Sequence, residues 1–145
     1  MTLAAESVVR RLIEEGFNAC NLEAVDALTS PAIVEHQDFG PDHAPGAAGV
    51  RAVVESLHRA FPDFRLTIED LVVDGSTVWL RMVATGTNSG SFMGHAPTGR
   101  PMRIDVFDAI RVESGLMVEH WGVPDRLGVM FQLGLMGPPA AVEAA

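Results

Sequence analysis

Two aspartates stand where a carboxylate could transfer protons. Asp125 lies where a strand pattern, which should end just before Pro124, gives way to the periodicity of a helix. An Asp in this position can simply cap the helix, because its side chain accepts a hydrogen bond from the free N–H groups of the first turn. It can also serve as an acid/base at the mouth of an apolar pocket, where a carboxyl group can exchange protons near neutral pH.

Asp108 is the second candidate, because it falls on a strand face that is otherwise apolar. Residues 100–112 alternate as a strand does, and one face carries Asp108 together with Met102, Ile104, Val106 and Ile110. A lone carboxylate on such a face is costly to bury without a partner. It is either a satisfied structural group or a second pocket carboxylate facing Asp125.

The five histidines add binding candidates but no metal-ligand spacing. His36 lies on a predicted strand over residues 32–39, either as a surface residue or at the rim of a pocket. His120 lies on the strand that precedes Asp125, and it is a candidate to contact a substrate. No two histidines are spaced as HxH or HxxxH, so we predict no metal ion.

Composition excludes several classes of partner. A formal net charge of −9 argues against nucleic acid and against anionic membrane surfaces, both of which attract Lys and Arg. No apolar run approaches the roughly 20 residues of a membrane-spanning helix. The single Cys20 cannot form an internal disulfide, which fits a reducing cytoplasm. The length of 145 residues suits one domain, predicted over residues 1–137 with a flexible tail over 138–145.

The order of patterns indicates an α+β fold. Three helical patterns come first, over residues 4–17, 21–28 and about 47–61, and strand patterns then follow over residues 65–73, 77–87 and 100–112. Asp74-Gly75 is a strong hairpin signal between two of these strands. In the last strand, Met117, Glu119 and Trp121 alternate with Val118, His120 and Gly122. We therefore predict a curved antiparallel sheet around a pocket, with three N-terminal helices across its open face.

Several motifs together resemble the SnoaL-like polyketide cyclases, also called ester cyclases, of the nuclear-transport-factor-like fold. They are VEHQDF, AFPDF, GTNSGSFMG, PTGRP, DVFDAIRVESGLMVEHW, Asp125 and QLG, in that order along nearly the whole chain. The resemblance implies a cone-shaped barrel with a deep apolar pocket, no cofactor, and a pocket Asp that acts as acid/base. Asp125 matches that Asp by position.

The chain departs from the pattern of the family at two places. Asn88 stands where many members carry His, and it can bind a carbonyl but cannot act as a base. The aldol-condensing members carry a His and a Gln where this sequence has Asp108 and Val106. The other predicted contacts to substrate are two residues of a possible lid, two pocket-lining residues and an aromatic neighbour of Asp125: Phe92, Met93, Ile104, Val106 and Trp121.

The resemblance implies an enzyme that closes a ring in a small, apolar, polyketide-derived substrate. In one version Asp125 removes a proton and later protonates the new alkoxide in an aldol-type reaction. In the other, the pocket folds a polyene so that proximity closes the ring, as in a cycloaddition. A hydrolase of the epoxide-hydrolase type would need Arg103 or Arg111 beside Asp108, and strand parity points neither inward. A non-catalytic ligand-binding module remains a further alternative.

We also expect a homodimer. A hydrophobic fraction of 48% in a chain with few aromatic residues suggests a second buried surface. Family members often pair through the outer face of the sheet, where Phe107 and Ala109 would lie.

Overall fold

A computed structural model describes residues 2–137, so the predicted tail over 138–145 lies outside the described residues. Its centre is a curved, open, five-stranded sheet in the order β1-β5-β4-β3-β2. Neighbouring strands are antiparallel, except that β1 runs parallel to β5. The α+β prediction is confirmed. The strands are β1 Thr29–Glu35, β2 Arg65–Asp74, β3 Thr77–Thr87, β4 Pro101–Glu113 and β5 Leu116–Pro124.

Helices cover the inner face of this sheet. Helix α1 continues into a π-helical segment that buries Leu12 and Ile13, in keeping with their shared apolar stripe. Asn21 caps α2 as predicted, and its side chain accepts a hydrogen bond of 3.2 Å from the backbone N–H of Ala24. The helical elements are α1 Thr2–Arg11, the π-helical segment Leu12–Asn18, α2 Leu22–Leu28, α3 Gly46–Ala60 and α4 Arg126–Gln132.

Strand β4 has the two faces that its alternation predicts. On the inner face Ile104, Val106 and Ile110 are buried against the helices. On the outer face Phe107 is 54% exposed, whereas Ala109 is buried. Ala109 is paired with Trp79 on one side and Trp121 on the other, and these large neighbours cover it. Asp108 therefore points inward, as expected.

Strand β5 does not alternate as predicted, because it contains a β-bulge. Val112 pairs with Met117 while the preceding Arg111 pairs with Glu119, so Val118 is an extra residue. Simple alternation would place Glu119 on the same side as the buried Met117. The bulge instead turns His120 to the inner face together with Met117.

Strand β1 is also displaced from its prediction, which covered residues 32–39. It runs over Thr29–Glu35 and lies parallel to β5, with Glu35 in register with His120. Ile33 is buried and Val34 is 49% exposed, so Glu35 shares the inner face with Ile33. The edge of the sheet thereby brings a second carboxylate next to His120.

Candidate functional site

A cavity of about 920 Å³ lies between the inner face of the sheet and the helices. This volume is at the upper end of the range for small-molecule sites. Most of its wall is apolar, and Ile104 and Val106 line it, as do the aromatic side chains Phe17, Phe61 and Phe64. Polar side chains from three adjacent strands and the loop after β1 gather in one part of it, namely Glu35, Gln37, Asp108 and His120.

Three of these side chains form a continuous hydrogen-bonded row, which we call the His120 triad. The distance from Nδ1 of His120 to Oε1 of Glu35 is 2.6 Å, and the distance from Nε2 to Oδ2 of Asp108 is 2.9 Å. The side chains are only 12–14% exposed. The row crosses the adjacent strands β1, β5 and β4, so the pairing of these strands sets its geometry.

His120 is held as an imidazolium. Burial by itself would lower its pKa, but the hydrogen bonds and charges of Asp108 and Glu35 together outweigh burial and raise the pKa to about 9. Both ring nitrogens then donate, one to each carboxylate. Glu35 gains a second donor from the backbone N–H of Gln37, at 2.9 Å from the same Oε1. With both carboxylates ionised the triad carries a net charge of −1 and is anchored at both ends.

The second oxygen of Asp108 is the part of the triad that has no hydrogen-bond partner. Oδ1 of Asp108 is buried and has no hydrogen-bond partner among residues 2–137. Leaving a buried carboxylate oxygen without a donor is costly, so such groups often mark sites of function. Held by the imidazolium on its other oxygen, this carboxylate can accept a proton or a hydrogen bond from a bound molecule.

Asp125 lies elsewhere, and the expectation that its carboxylate faces the cavity is wrong. The residue is exposed and does not line the cavity. Its Oδ1 accepts a hydrogen bond of 2.8 Å from the backbone N–H of Gly128, which confirms the capping interpretation. The side chain folds back onto its own helix, because the first-turn N–H groups of α4 are its nearest donors.

His36 and Trp121 also lie outside the cavity, contrary to the prediction that they contact substrate there. Their rings stack on the outer face of the sheet at 4.6 Å, and His36 bonds Glu119 at 2.7 Å. Trp121 borders a shallow groove on that outer face. The reason is parity: Glu35 and His120 face inward, so each next residue along the strand faces outward.

Asn88 holds the loop at the cavity mouth and lines no part of the cavity itself. It is completely buried, and its Nδ2 donates to the carbonyl of Gly90 at 2.8 Å. Its Oδ1 accepts from the backbone N–H of Thr98 at 2.8 Å. The substrate contact predicted for Asn88 is therefore replaced by a structural role.

Phe92 and Met93 do border the cavity, at its mouth. Phe92 packs edge-on against Phe61, with ring centroids 5.3 Å apart. Met93 is 65% exposed and has a positive φ of 48°, which places it at the tip of a tight turn. Their position is compatible with the predicted lid.

Sequence reasoning missed Glu35, Gln37 and Gly122. The predicted strand over residues 32–39 already contained Ile33, Glu35 and Gln37 at alternate positions, and this alternation was the signal that could have placed both polar residues on the inner face. Gly122 lies opposite Asp108 in the register of β4 and β5. A Cβ there would lie 2.8 Å from Cε1 of His120 and 3.0 Å from Oδ1 of Asp108, so only glycine leaves room for the triad as it stands.

Two further properties concern the described residues alone. Within residues 2–137 no group of three or more His, Cys, Asp or Glu side chains is arranged to hold a metal ion. None of the helices described is both long and apolar enough to cross a bilayer.

The sequence matches the family described as SnoaL-like polyketide cyclase over residues 7–133. The chain belongs to this family. No curated protein matches it. Among solved structures, TsrD from Streptomyces laurentii has 26% identity and a TM-score of 0.84, covering 94% of this chain and 98% of TsrD.

Two other solved structures carry functional descriptions. IdmH from Streptomyces antibioticus, a proposed polyketide cyclase, has 35% identity and a TM-score of 0.78, covering 90% of this chain and 98% of IdmH. AclR from Streptomyces galilaeus, a proposed hydroxylase, has 25% identity and a TM-score of 0.81, covering 97% of this chain and 87% of AclR. Structural neighbours of this chain are thus described by different reactions, so the chemistry of this chain has to be argued from its own residues.

The raised pKa of His120 predicts a stability that depends on pH. The folded-state pKa of about 9 exceeds the ordinary 6.5, so this stabilisation is complete below about pH 6.5 and is lost as pH rises through about 9. Measured by urea unfolding, the free energy of unfolding of the wild type should therefore fall by roughly 3 kcal/mol between about pH 6.5 and pH 9. His120→Gln should remove most of that fall. His95→Gln, at an exposed histidine, is the control and should behave as the wild type does. The same pH dependence of stability in the wild type and in His120→Gln would contradict the assignment of the effect to His120.

The burial of Asn88 predicts a large loss of stability on truncation. Asn88→Ala leaves the carbonyl of Gly90 and the N–H of Thr98 without their partner. We expect the free energy of unfolding to fall by about 1–3 kcal/mol, because the substitution empties a fully buried site and leaves two partly buried backbone groups without a partner. Asn21→Ala, which removes only a helix cap, should cost about 1 kcal/mol. Equal losses in the two variants, measured by urea unfolding, would argue against the structural role of Asn88.

Proposed function

We propose that this chain is a cofactor-independent enzyme that closes a ring in a polyketide-derived intermediate, with Asp108 as the proton-transfer group. The observation that supports this proposal is the carboxylate of Asp108, which lines a largely apolar cavity of about 920 Å³, has one buried oxygen without a hydrogen-bond partner, and is bonded on its other oxygen by His120. Membership of the polyketide cyclase family supplies the class of reaction.

In the proposed reaction Asp108 acts first as a base. Its Oδ1 removes a proton from a carbon next to a carbonyl group, which leaves an enolate. The enolate carbon attacks a second carbonyl of the same molecule and forms the ring C–C bond. The alkoxide that results takes the proton back from Asp108, so the enzyme returns to its starting state and no atoms are lost.

His120 assists without giving up its own proton. A pKa of about 9 keeps it charged at neutral pH, so it donates to Oδ2 of Asp108 throughout. Its charge stabilises the ionised Asp108 between turnovers, and Glu35 holds the ring in place from the other side. We therefore assign His120 and Glu35 as positioning residues.

The apolar wall selects and folds the rest of the substrate. Ile104, Val106 and Phe61 offer no charge to a bound molecule, and Phe92 and Met93 border the entrance. An unsaturated chain confined here would hold its reacting carbons close together, which lowers the entropic part of the barrier.

With a single cysteine and no internal disulfide, we assign the enzyme to the cytoplasm.

Ring closure driven by shape, without proton transfer, is the second candidate. It is favoured because the triad occupies only one part of the cavity and most of the wall is apolar.

The hydrolase alternative lacks the arginine expected beside Asp108. Arg103 is exposed, and Arg111 bonds Glu119 outside the cavity at 2.9 Å.

Substitution of Asp108 tests the proton-transfer role. Asp108→Asn keeps the size of the side chain but removes the base, so turnover of a substrate should fall by ~10²–10⁴. Asp125→Asn is the matched control, since Asn caps a helix about as well as Asp and the residue lies outside the cavity. Initial rates of ring closure, measured by chromatography for both variants, give the comparison.

The two candidate mechanisms separate in the same assay. Ile104→Trp fills the cavity and should stop turnover under either mechanism. If Asp108→Asn retains full activity while Ile104→Trp has none, ring closure is driven by shape. Full loss in Asp125→Asn would instead return the acid/base role to that residue.

We further propose a homodimer formed through the outer face of the sheet. This face carries a groove of about 430 Å³, and it exposes four large apolar side chains around the buried Ala109. They are Val72, Trp79, Phe107 and Val123, which are 54–70% exposed. An apolar patch of this kind marks an interaction surface in proteins that otherwise shield such groups.

Disruption of the outer face should yield a monomer. Phe107→Asp puts a charge in the centre of the patch, and light scattering at micromolar concentration should show the mass fall by half. Leu127→Asp is the matched control, because Leu127 is 52% exposed on α4 and does not border the groove. A wild-type protein that scatters as a monomer would contradict the proposal.

A further inference from the structure

The outer face of the sheet carries a slot between the two tryptophans of the chain, which we call the tryptophan slot. Trp79 on β3 and Trp121 on β5 are both in register with Ala109, the small residue between them on β4. Their Cα atoms are therefore about 10 Å apart, which is two strand spacings. The two indoles are 55% and 39% exposed, and Ala109 is the buried floor. A flat ring standing over this floor would lie about 5 Å from each indole, a distance at which aromatic rings attract each other.

The chain itself supports one wall of the tryptophan slot and leaves the slot open. The ring of His36 stacks on Trp121 in parallel, with centroids 4.6 Å apart. His36 follows β1, which lies on the side of β5 away from β4, so it covers the face of the indole that points away from Ala109. Within residues 2–137 no aromatic ring stacks on Trp79 or on the slot side of Trp121. The slot is therefore braced for a ring that this chain does not supply to itself.

The outward residues of β4 form a pattern that is complementary to its own reverse. In chain order they are Arg103, Asp105, Phe107, Ala109, Arg111 and Glu113. When a second copy of the strand is laid over the first in the opposite direction, centred on residue 108, Phe107 meets Ala109. In the same register Asp105 meets Arg111, and Arg103 meets Glu113. Each large side chain then faces a small one, and each charge faces its opposite.

The two ends of this pattern also differ in how their charges are balanced inside the chain. Neither Arg103 nor Asp105 forms an ion pair with another of the described residues. At the other end Arg111 bonds two carboxylates, Glu119 at 2.9 Å and Glu113. Carboxylates therefore outnumber guanidinium groups there, and an arginine without an ion pair from a second copy would complement them.

We propose that two copies of this chain pack face to face with their β4 strands antiparallel, about a two-fold axis that lies in the interface and crosses β4 at Asp108. The inference rests on the proposed homodimer and adds its register and its contacts. The ring of Phe107 from each copy fills the tryptophan slot of the other, over Ala109. Because the arrangement is two-fold symmetric, every contact occurs twice.

The position of Phe107 favours this register over the parallel one. Phe107 is 54% exposed and lies two residues from Ala109, about 7 Å along the strand, so reversal places its ring over the slot floor. With the two β4 strands parallel, Phe107 would meet Phe107 and each slot would stay empty. Arg103 would then also face Arg103, and like charges brought together across an interface are unfavourable.

Charge reversal tests the register. Arg103→Glu sets a carboxylate against Glu113 of the other copy, and Glu113→Arg sets a guanidinium group against Arg103. Each change alters two contacts in the dimer and should raise its dissociation constant about tenfold, measured by analytical ultracentrifugation. The double variant restores opposite charges and should return to within about threefold of the wild type. Arg10→Glu makes the same charge change on the exposed face of α1 and should have no effect.

Tryptophan fluorescence tests the filling of the slot directly. The chain has two tryptophans and both are walls of the slot, so the emission reports on nothing else. As the wild type is diluted and its mass falls to that of a monomer, the emission should shift to longer wavelength and acrylamide should quench it more strongly. Phe107→Ala, compared with the wild type at a concentration where both are dimeric, should show the stronger quenching without dilution.

Three results would overturn the inference, and they separate it from the homodimer on which it rests. If the wild type is a dimer that Phe107→Asp dissociates, but the charge-reversal variants do not differ from the wild type, the register is wrong and the outer-face dimer stands. The same holds if the double variant is no tighter than the single ones. A wild type that stays monomeric, with both tryptophans open to acrylamide, removes the homodimer and the register together and leaves the slot to a different partner.

Discussion

The arrangement of this site depends on one buried imidazolium held between two carboxylates. His120 can remain charged in an apolar interior only because Glu35 and Asp108 each accept one of its N–H groups. Removing either carboxylate would leave one of the two imidazolium N–H groups without its hydrogen-bond partner. The strands must therefore deliver three side chains to one place within hydrogen-bond distance, and several irregular features of the sheet serve that requirement.

Each irregularity has a direct geometric consequence for the triad. The parallel pairing of β1 with β5 puts Glu35 in register with His120. The bulge at Val118 turns His120 to the inner face. The absence of a side chain at Gly122 leaves space for the imidazole and for the carboxylate of Asp108. A regular antiparallel sheet with full side chains could carry the same residues but would not bring them together in this way.

The contrast between the triad and the rest of the cavity is the basis of the proposed function. An apolar wall strengthens the electrostatic interactions at the triad, because little water is available to screen them. Polar and charged side chains outside the triad also line the cavity, namely Asp38, Asp42, His43, Arg59 and Arg126. The family match places the chain among the SnoaL-like polyketide cyclases, whereas the proposed chemistry rests on the position of Asp108 and its partners.

The sequence alone predicted what depends on local periodicity and on motif order. It predicted the α+β class, the faces of β4 with Asp108 turned inward, the cap at Asn21 and the family. These properties follow from residues a few positions apart, where hydrophobic alternation and turn chemistry act. It left Asp125 between a cap and a pocket acid, because both roles suit an Asp at a strand-to-helix junction.

Only the tertiary structure decided the site. A one-residue bulge reverses the faces of a strand, and no pattern within β5 distinguishes the bulged register from the regular one. Both His120 and Trp121 were predicted to contact substrate, whereas in the structure His120 lines the cavity, Trp121 lies outside it, and Asp125 caps its own helix. The partnership of Glu35 with His120 joins residues 85 positions apart. It arises from the pairing of β1 with β5, which depends on how the whole sheet and its helices pack and not on the sequence near either residue.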